Sequence, residues 1–177
     1  MHMKLLASLL LSITCFTALA QPSETSGMPG YVEFSDLSSI YGEPKVQINI
    51  GEKLLHFVAK MDQEKDKEAA ELFSKLKAVR VEVYNINNNT GPAIAMIDKV
   101  TRELQSRDWE PVVIVTDNND RVRIFIKLNN NVIDGLVLMT VGNDDEAVFI
   151  NIIGQIDPSQ VAKVTKTLNI DVDMLQK

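Results

Sequence analysis

The sequence predicts an α+β fold: a mixed sheet that ends in a four-stranded antiparallel meander, with the helices packed mainly on one face. Two observations carry this prediction. Residues 45–104 show the patterns of strand, helix, helix, strand and helix in turn. Residues 109–153 then show four strand patterns in succession, with no helix between them. Consecutive strands favour a meander over a doubly wound α/β sheet, in which strands and helices alternate.

Residues 1–20 are typical of a secretion signal. Lys4 precedes an apolar run over residues 5–19, and Ala18-Leu19-Ala20 forms a small-residue cleavage site. We therefore expect export to the periplasm, with cleavage after Ala20. The alternative is a membrane-anchored lipoprotein acylated at Cys15, although the residues before it fit that processing site poorly. No later run has the roughly 20 apolar residues of a membrane span, so we expect no transmembrane segment in the mature chain.

Residues 21–44 are rich in Ser, Pro and Gly, and we expect a flexible lead-in followed by an N-terminal arm with apolar anchors. Residues 45–177 are expected to form a single α+β domain, since this length supports one proper core. The net charge of the chain is −6. An acidic protein lacks the positive field that nucleic acid and anionic lipid require, which excludes both as partners.

The first half of the domain alternates between two periodicities. Residues 45–50 and 79–84 alternate polar and apolar residues, as half-buried strands do. Residues 52–61 have helical spacing, and we expect the helix to bury its apolar stripe of Leu54, Phe57, Val58 and Met61. A second helix is expected after a cap at Asp62 or Asp66, and a third after a cap at Thr90.

The second half contains the meander. Residues 112–115 form a continuous apolar run, which is typical of a strand covered on both faces. Turns rich in Asn and Asp follow at residues 117–120, 129–131 and 142–145. Gly135 is expected at a bulge. Asp157 then has the features of a helix cap, because Pro158 takes the first helical position and Gln160 completes a capping box.

The acidic residues of the turns raise the question of a metal site. An EF-hand loop needs oxygen ligands at alternate positions and Gly at the sixth. Counting from Asp117, Arg121 takes the fifth position and Val122 the sixth; counting from Asn143, Ala147 takes the fifth. The acids are therefore interpreted as turn and cap residues, and we predict no metal and no cofactor.

Catalytic constellations are equally scarce. Cys15 leaves with the expected signal, and His56 is then the sole histidine, which is too few for a zinc site. His56 also lies away from the expected apolar stripe of its helix, and no G-x-S-x-G nucleophile elbow accompanies it. We predict no catalytic residue; a hydrolase that uses two carboxylates remains the enzymatic alternative.

One face of the predicted sheet is less ordinary. If Val122, Ile124, Ile126 and Leu128 face the helices, the alternate residues of that strand share the opposite face. Tyr84 would join them if its strand lies nearby. Such a face is either a solvated outer surface or a site for an anionic ligand or a partner. The candidate binding residues are Arg121, Arg123, Phe125, Lys127 and Tyr84.

Several segments resemble the proteobacterial branch of the domain of unknown function 4252 family. The segments that carry the resemblance are Gly30-Tyr31-Val32-Glu33-Phe34, Gly42-Glu43-Pro44, Asp108-Trp109-Glu110 and Asn151-Ile152-Ile153-Gly154-Gln155. The resemblance implies a small exported bacterial protein with no assigned activity and no catalytic residues to transfer. Members are often encoded near extracytoplasmic-function sigma factors, which suggests a link to envelope stress signalling.

Three functions follow as hypotheses. The first is an exported, non-enzymatic interaction module of the bacterial cell envelope, with an envelope or membrane signalling protein as its partner. The second is a carrier or sensor of a small amphiphilic or anionic ligand, which predicts a pocket reached from the Phe125 face. The third is the carboxylate-dependent hydrolase, which requires two acids to converge in a cleft.

Overall fold

A computed structural model describes residues 25–34, 37–62, 64–117, 120–142 and 145–157. The expected secretion signal and the helix expected after Asp157 lie outside these residues, as do the tips of the turns at 117–120 and 142–145.

A six-stranded sheet is the frame of the described chain. Its order is β1-β2-β6-β5-β4-β3, and every neighbouring pair is antiparallel. The strands are β1 Val46–Gly51, β2 Leu76–Asn85, β3 Trp109–Asp117, β4 Asp120–Asn129, β5 Val132–Val141 and β6 Glu146–Ile156.

This order confirms the meander of β3 to β6, and the bulge expected near Gly135 is present as a register shift between Ile133 and Gly135. The expectation of a mixed sheet is wrong. Two helices join β1 to β2 as a hairpin, so the chain re-enters the sheet at the end where it left and β2 runs antiparallel to β1.

Four helices accompany the sheet in the described residues: α1 Ser38–Tyr41, α2 Glu52–Asp62, α3 Lys67–Lys75 and α4 Thr90–Ser106. Asp66 caps α3, because its carboxylate accepts hydrogen bonds from the backbone N–H groups of Glu68 and Ala69 at 3.1 and 3.0 Å. Thr90 is the first residue of α4 rather than its cap, which is Asn89. Among the described helices, none has the length and hydropathy to cross a membrane.

The helices lie on both faces of the sheet, which corrects the expectation that they pack mainly on one. Successive residues of a strand point to opposite faces, and Phe125 packs with α4 residues such as Ile97, whereas Ile124 packs with Leu55 of α2 and Leu72 of α3. We call these the α4 face and the α2–α3 face. Both faces need a cover because the central strands are apolar on both sides.

The N-terminal arm, described here as residues 30–34 and Leu37, also covers the α4 face. Val32, Phe34 and Leu37, three of the expected apolar anchors, are buried in the same core as Phe125. Phe34 contacts the ring of Phe149 at a centroid distance of 5.4 Å. The arm and α4 together therefore close this face over the central strands.

The prediction of which apolar residues α2 buries is wrong. Leu54, Phe57 and Met61 are exposed, and α2 instead buries Leu55 and Ala59 against the sheet. Apolar residues occupy so much of this helix that the spacing fits two different stripes. Packing selects the stripe next to α3 and β2, which leaves the other on the surface.

Candidate functional site

The structure brings the five candidate residues to one face, as predicted, but covers that face. Phe125 has no exposed surface and sits between the sheet and α4. Tyr84 is buried too, and its hydroxyl donates to the Glu82 carboxylate at 3.0 Å. A ligand therefore has no access to either aromatic ring from this side.

Arg123 is 8% exposed and is held by neighbouring strand atoms. Its guanidinium donates to the carbonyl oxygens of Val115 and Val122 and, at 3.0 Å, to the hydroxyl of Thr116. Burial lowers the pKa of this guanidinium, and the negative charge of Asp98 on α4 opposes that shift. Arg123 thus links the outer strand β3 to β4 and places a positive charge beside β3.

Lys127 and Arg121 have local structural contacts. The Lys127 ammonium donates to the carbonyl oxygens of Arg107 and Asp108, just after α4 ends. A cation at this position donates hydrogen bonds to carbonyl oxygens that the helix leaves unpaired, and it interacts favourably with the negative end of the helix dipole. Arg121, which is half-buried, donates to the carbonyl oxygen of Asp120 at 2.9 Å.

Sequence reasoning missed Asn151, the polar residue at the centre of this face. It is fully buried, its side-chain oxygen accepts from the N–H of Val32 at 3.0 Å, and its amide donates to the carbonyl oxygen of Gly30 at 2.9 Å. Asn151 therefore binds the arm through its backbone. The available signal was one amide inside the otherwise apolar segment Phe149-Ile150-Asn151-Ile152, since buried amides normally have specific partners.

Two further features hold the arm. Arg80 donates to the carbonyl oxygen of Val32 at 2.8 Å, and its guanidinium lies 4.8 Å from the ring centroid of Tyr31. Gly30 lies against Gly135 so closely that a Cβ on Gly30 would come within 2.1 Å of the Asp134 carbonyl oxygen. Both glycines are needed for this approach of two backbones.

A cleft of about 630 Å³ opens between the start of the arm and the end of α3. Lys75 and Lys77 line it, and each forms an ion pair with a carboxylate, Glu71 and Glu52 respectively, at 2.6 Å. This cleft is on a different part of the surface from the Phe125 side chain.

His56 and the described residues of the turns were considered as metal ligands. In the described part of the chain, no group of three or more His, Cys, Asp and Glu side chains could hold an ion. His56 lies between α2 and α3, where its Nε2 is 2.9 Å from the carbonyl oxygen of Ser74. Asp144 of the second turn lies outside the described residues.

Exposed aliphatic side chains mark the two margins of the sheet. On β3, Val112 is 54% and Ile114 53% exposed, although the sequence pattern predicts that this strand is covered on both faces. That prediction is wrong because β3 is the last strand in the sheet order, paired with β4 alone among the described strands. At the other margin, Ile48 of β1 is 39% and Phe57 of α2 59% exposed.

The model of the DUF4252 family, described as a domain of unknown function, matches residues 41–164. No curated protein and no solved structure matches the chain.

Proposed function

The chain belongs to the DUF4252 family, whose description names no activity, and we propose that it is an exported, non-enzymatic interaction module of the bacterial cell envelope. The proposal includes periplasmic location, membership of the proteobacterial branch and a membrane signalling protein as the partner. The secretion pattern of residues 1–20 and the acidic net charge of −6 support the location and the exclusion of nucleic acid.

The observation that carries this proposal is the composition of the β3 margin, which we define as Val112, Ile114, Thr116 and Arg121. Thr116 lies opposite Arg121, and Ile114 lies opposite Arg123, in the β3–β4 ladder. The exposed Ile114 and the polar Thr116 thus stand beside the two arginines of β4. Isolated exposed apolar residues are ordinary, but an apolar patch combined with Arg is the composition enriched at protein interfaces.

The charge of this margin indicates the chemistry of the partner. Arg121 and Arg123 adjoin this margin, and the charge of Asp98 on α4 acts on the Arg123 guanidinium; the partner we propose offers a carboxylate to Arg121 beside an apolar side chain. Burial of Arg123 keeps its charge fixed in place. The half-buried Arg121 provides the accessible charge of the pair.

A photoreactive amino acid placed at Ile114 tests the proposal in living cells of the host. We expect crosslinked species that contain an envelope protein, and we expect Arg121→Glu to reduce them strongly. The same photoreactive group at Ala95, which is exposed on α4, is the matched control. If the probe at Ile114 gives no crosslinked species at any expression level, the β3 margin is not an interaction site.

The cleft beside α3 favours a second function, the binding of a small anionic or amphiphilic ligand. Its volume of about 630 Å³ falls in the usual range for ligand sites, and two lysines line it beside apolar residues such as Met28 and Ile153. Native mass spectrometry of protein freshly purified from its host tests this function. We expect an added mass that Lys75→Gln together with Lys77→Gln removes; ligand-free protein alone would argue against a carrier.

A further inference from the structure

The margin formed by β1 lacks the features that normally guard an edge strand. β1 lies at the end of the sheet order and pairs, within the described residues, only with β2. Its ladder runs through six consecutive pairs from Val46 to Gly51 without a register shift, and the strand contains no charged residue and no proline. Natural proteins usually protect such an edge with charges, proline or a bulge, because its free N–H and C=O groups pair readily with another strand.

The opposite margin has these protections. β3 contains Glu110 and Pro111, and its register shifts between Pro111 and Val113. Proline offers no N–H, and a bulge interrupts the row of backbone groups that a further strand would need. The contrast within one sheet indicates that β1 is left open for pairing.

Helix α2 adds an apolar surface beside this open edge. Leu55 points to the sheet, and His56, about 100° further round the helix, contacts the carbonyl oxygen of Ser74 beside α3. Leu54 and Met61 lie about 100° to 120° from Leu55 in the other direction, away from α3. Because α2 contacts β1 and β2 while α3 contacts β6, this exposed flank overlooks the free edge of β1.

We infer that a second copy of this chain occupies the β1 edge and the α2 flank, as a two-fold dimer. Antiparallel pairing of β1 with the partner's β1 places the two-fold axis perpendicular to the sheet. That axis keeps both α2 helices on the same face, so the exposed flank of Leu54 and Met61 faces its copy. The contact is closed, because each copy uses its single β1 edge.

The sequence of β1 is complementary to itself in this arrangement. With Ile48 on the two-fold axis, Val46 lies opposite the partner's Ile50, and Gln47 lies opposite the partner's Asn49. The aliphatic pairs then lie on one face of the sheet and the amide pairs on the other, and no like charges oppose each other. Lys45 precedes the strand and Glu52 follows it, so unlike charges lie at the ends that approach each other; within one copy, Lys45 pairs with Glu146 and Glu52 pairs with Lys77.

The inference is independent of the partner proposed for the β3 margin, since the two surfaces lie at opposite ends of the sheet order. A dimer through β1 leaves Ile114 and Arg121 of both copies accessible. The failure of one proposal therefore leaves the other standing.

Light scattering on protein purified from its host tests the dimer across concentrations up to about 100 μM. We expect a dimer mass for the unchanged chain and a dissociation constant at least about tenfold higher for Ile48→Lys, which places an ammonium on the axis. Ile114→Lys on β3 is the matched control and should leave the dimer unchanged. A monomer mass for the unchanged chain overturns the inference, as does dissociation by Ile114→Lys with Ile48→Lys still dimeric.

Two further variants keep the test decisive if Ile48→Lys fails to fold. Met61→Glu changes an exposed side chain of the α2 flank and is expected to weaken the dimer, whereas Ala95→Glu on exposed α4 is not. Ile48→Cys should be joined to its copy by a short bifunctional thiol reagent, because opposed strand residues have Cβ atoms about 4.5 to 5.5 Å apart. Equal crosslinking of Ile48→Cys and Ile114→Cys would contradict the assigned edge.

Discussion

The two margins of the sheet end the same hydrogen-bonded frame in different ways. β3 exposes aliphatic side chains but interrupts its backbone edge with Pro111 and a bulge, whereas β1 presents an uninterrupted edge without charge. The β3 margin is therefore suited to contacts through side chains, with Arg121 and Arg123 as its fixed charges. The β1 margin is suited to contacts through the backbone, with the apolar flank of α2 beside it. Exposed apolar area alone does not distinguish the two; the availability of backbone groups does.

Between the margins, the α4 face is closed by α4 and by the arm. α4 contacts β3, β4 and β5, while the arm is held by Arg80 on β2 and Asn151 on β6. The candidate binding residues thus differ in burial according to their distance from the β3 margin. Phe125 and Tyr84 are core residues, and Arg121 remains at the accessible border.

The largest expected effect separates the covered face from the β3 margin. Phe125→Ala removes a ring with no exposed surface, and we expect the free energy of unfolding to fall by about 3 to 5 kcal/mol. Ile114→Ala on the adjoining strand is the matched comparison, and its effect should stay within about 0.5 kcal/mol. Urea denaturation followed by circular dichroism measures both. Equal losses would mean that Ile114 is covered in solution and that the β3 margin is not a free surface.

Asn151→Ala is expected to loosen the arm while leaving both margins unchanged. The substitution leaves the N–H of Val32 and the carbonyl oxygen of Gly30 without their side-chain partner, which costs about 1 to 3 kcal/mol for buried groups. The arm should then show faster amide hydrogen exchange at Val32 than in the unchanged chain. Self-association should remain as before, because β2 separates β1 from Asn151 on β6; a lost dimer would show that the arm, and not the β1 edge, holds the copies together.

Pro111→Thr sharpens the contrast between the two edges. Threonine supplies a backbone N–H and favours strands. We therefore expect the β3 edges of two copies to associate about tenfold more tightly than in the unchanged chain, equivalent to about 1.4 kcal/mol. Combined with the β1 contact, this should give species larger than a dimer in sedimentation velocity. The double variant Pro111→Thr with Ile48→Lys should stop at two copies. No change in either variant would mean that Pro111 does not guard the edge.

Sequence patterns predicted the meander and the Asp66 cap because both depend on neighbours in the chain. Alternation along β4 and the Asn- and Asp-rich turns determine which consecutive strands pair. The pairing of β2 with β6 joins segments more than 60 residues apart in the sequence, and no local pattern encodes it. The exposure of Ile114 and of the α2 stripe depends on the same long-range order. Local alternation along β4 therefore grouped the candidate residues on one face, but the expectation that this face lies opposite the helices is wrong, because α4 and the arm cover it.

The smallest expected effect concerns the charge at the end of β1. The hydrogen bond from Lys77 to Glu52, aided by the charges of Lys77 and His56, holds the pKa of the Glu52 carboxyl below its ordinary value. A depressed folded pKa contributes stability that is present above the unfolded pKa and is lost as pH falls through the folded pKa. The carboxyl resonance of Glu52, followed by NMR titration, should therefore have a midpoint below that of an unpaired Glu.

Lys77→Gln is expected to move that midpoint upward, because it removes the largest cause of the shift. Lys75→Gln is the matched control: Lys75 forms an ion pair of the same 2.6 Å length with Glu71 instead. If Lys75→Gln moves the Glu52 midpoint as far as Lys77→Gln does, the shift reflects the general field of the helix pair. A shift specific to Lys77 would mean that the ion pair with Lys77 holds the Glu52 carboxylate at the end of β1.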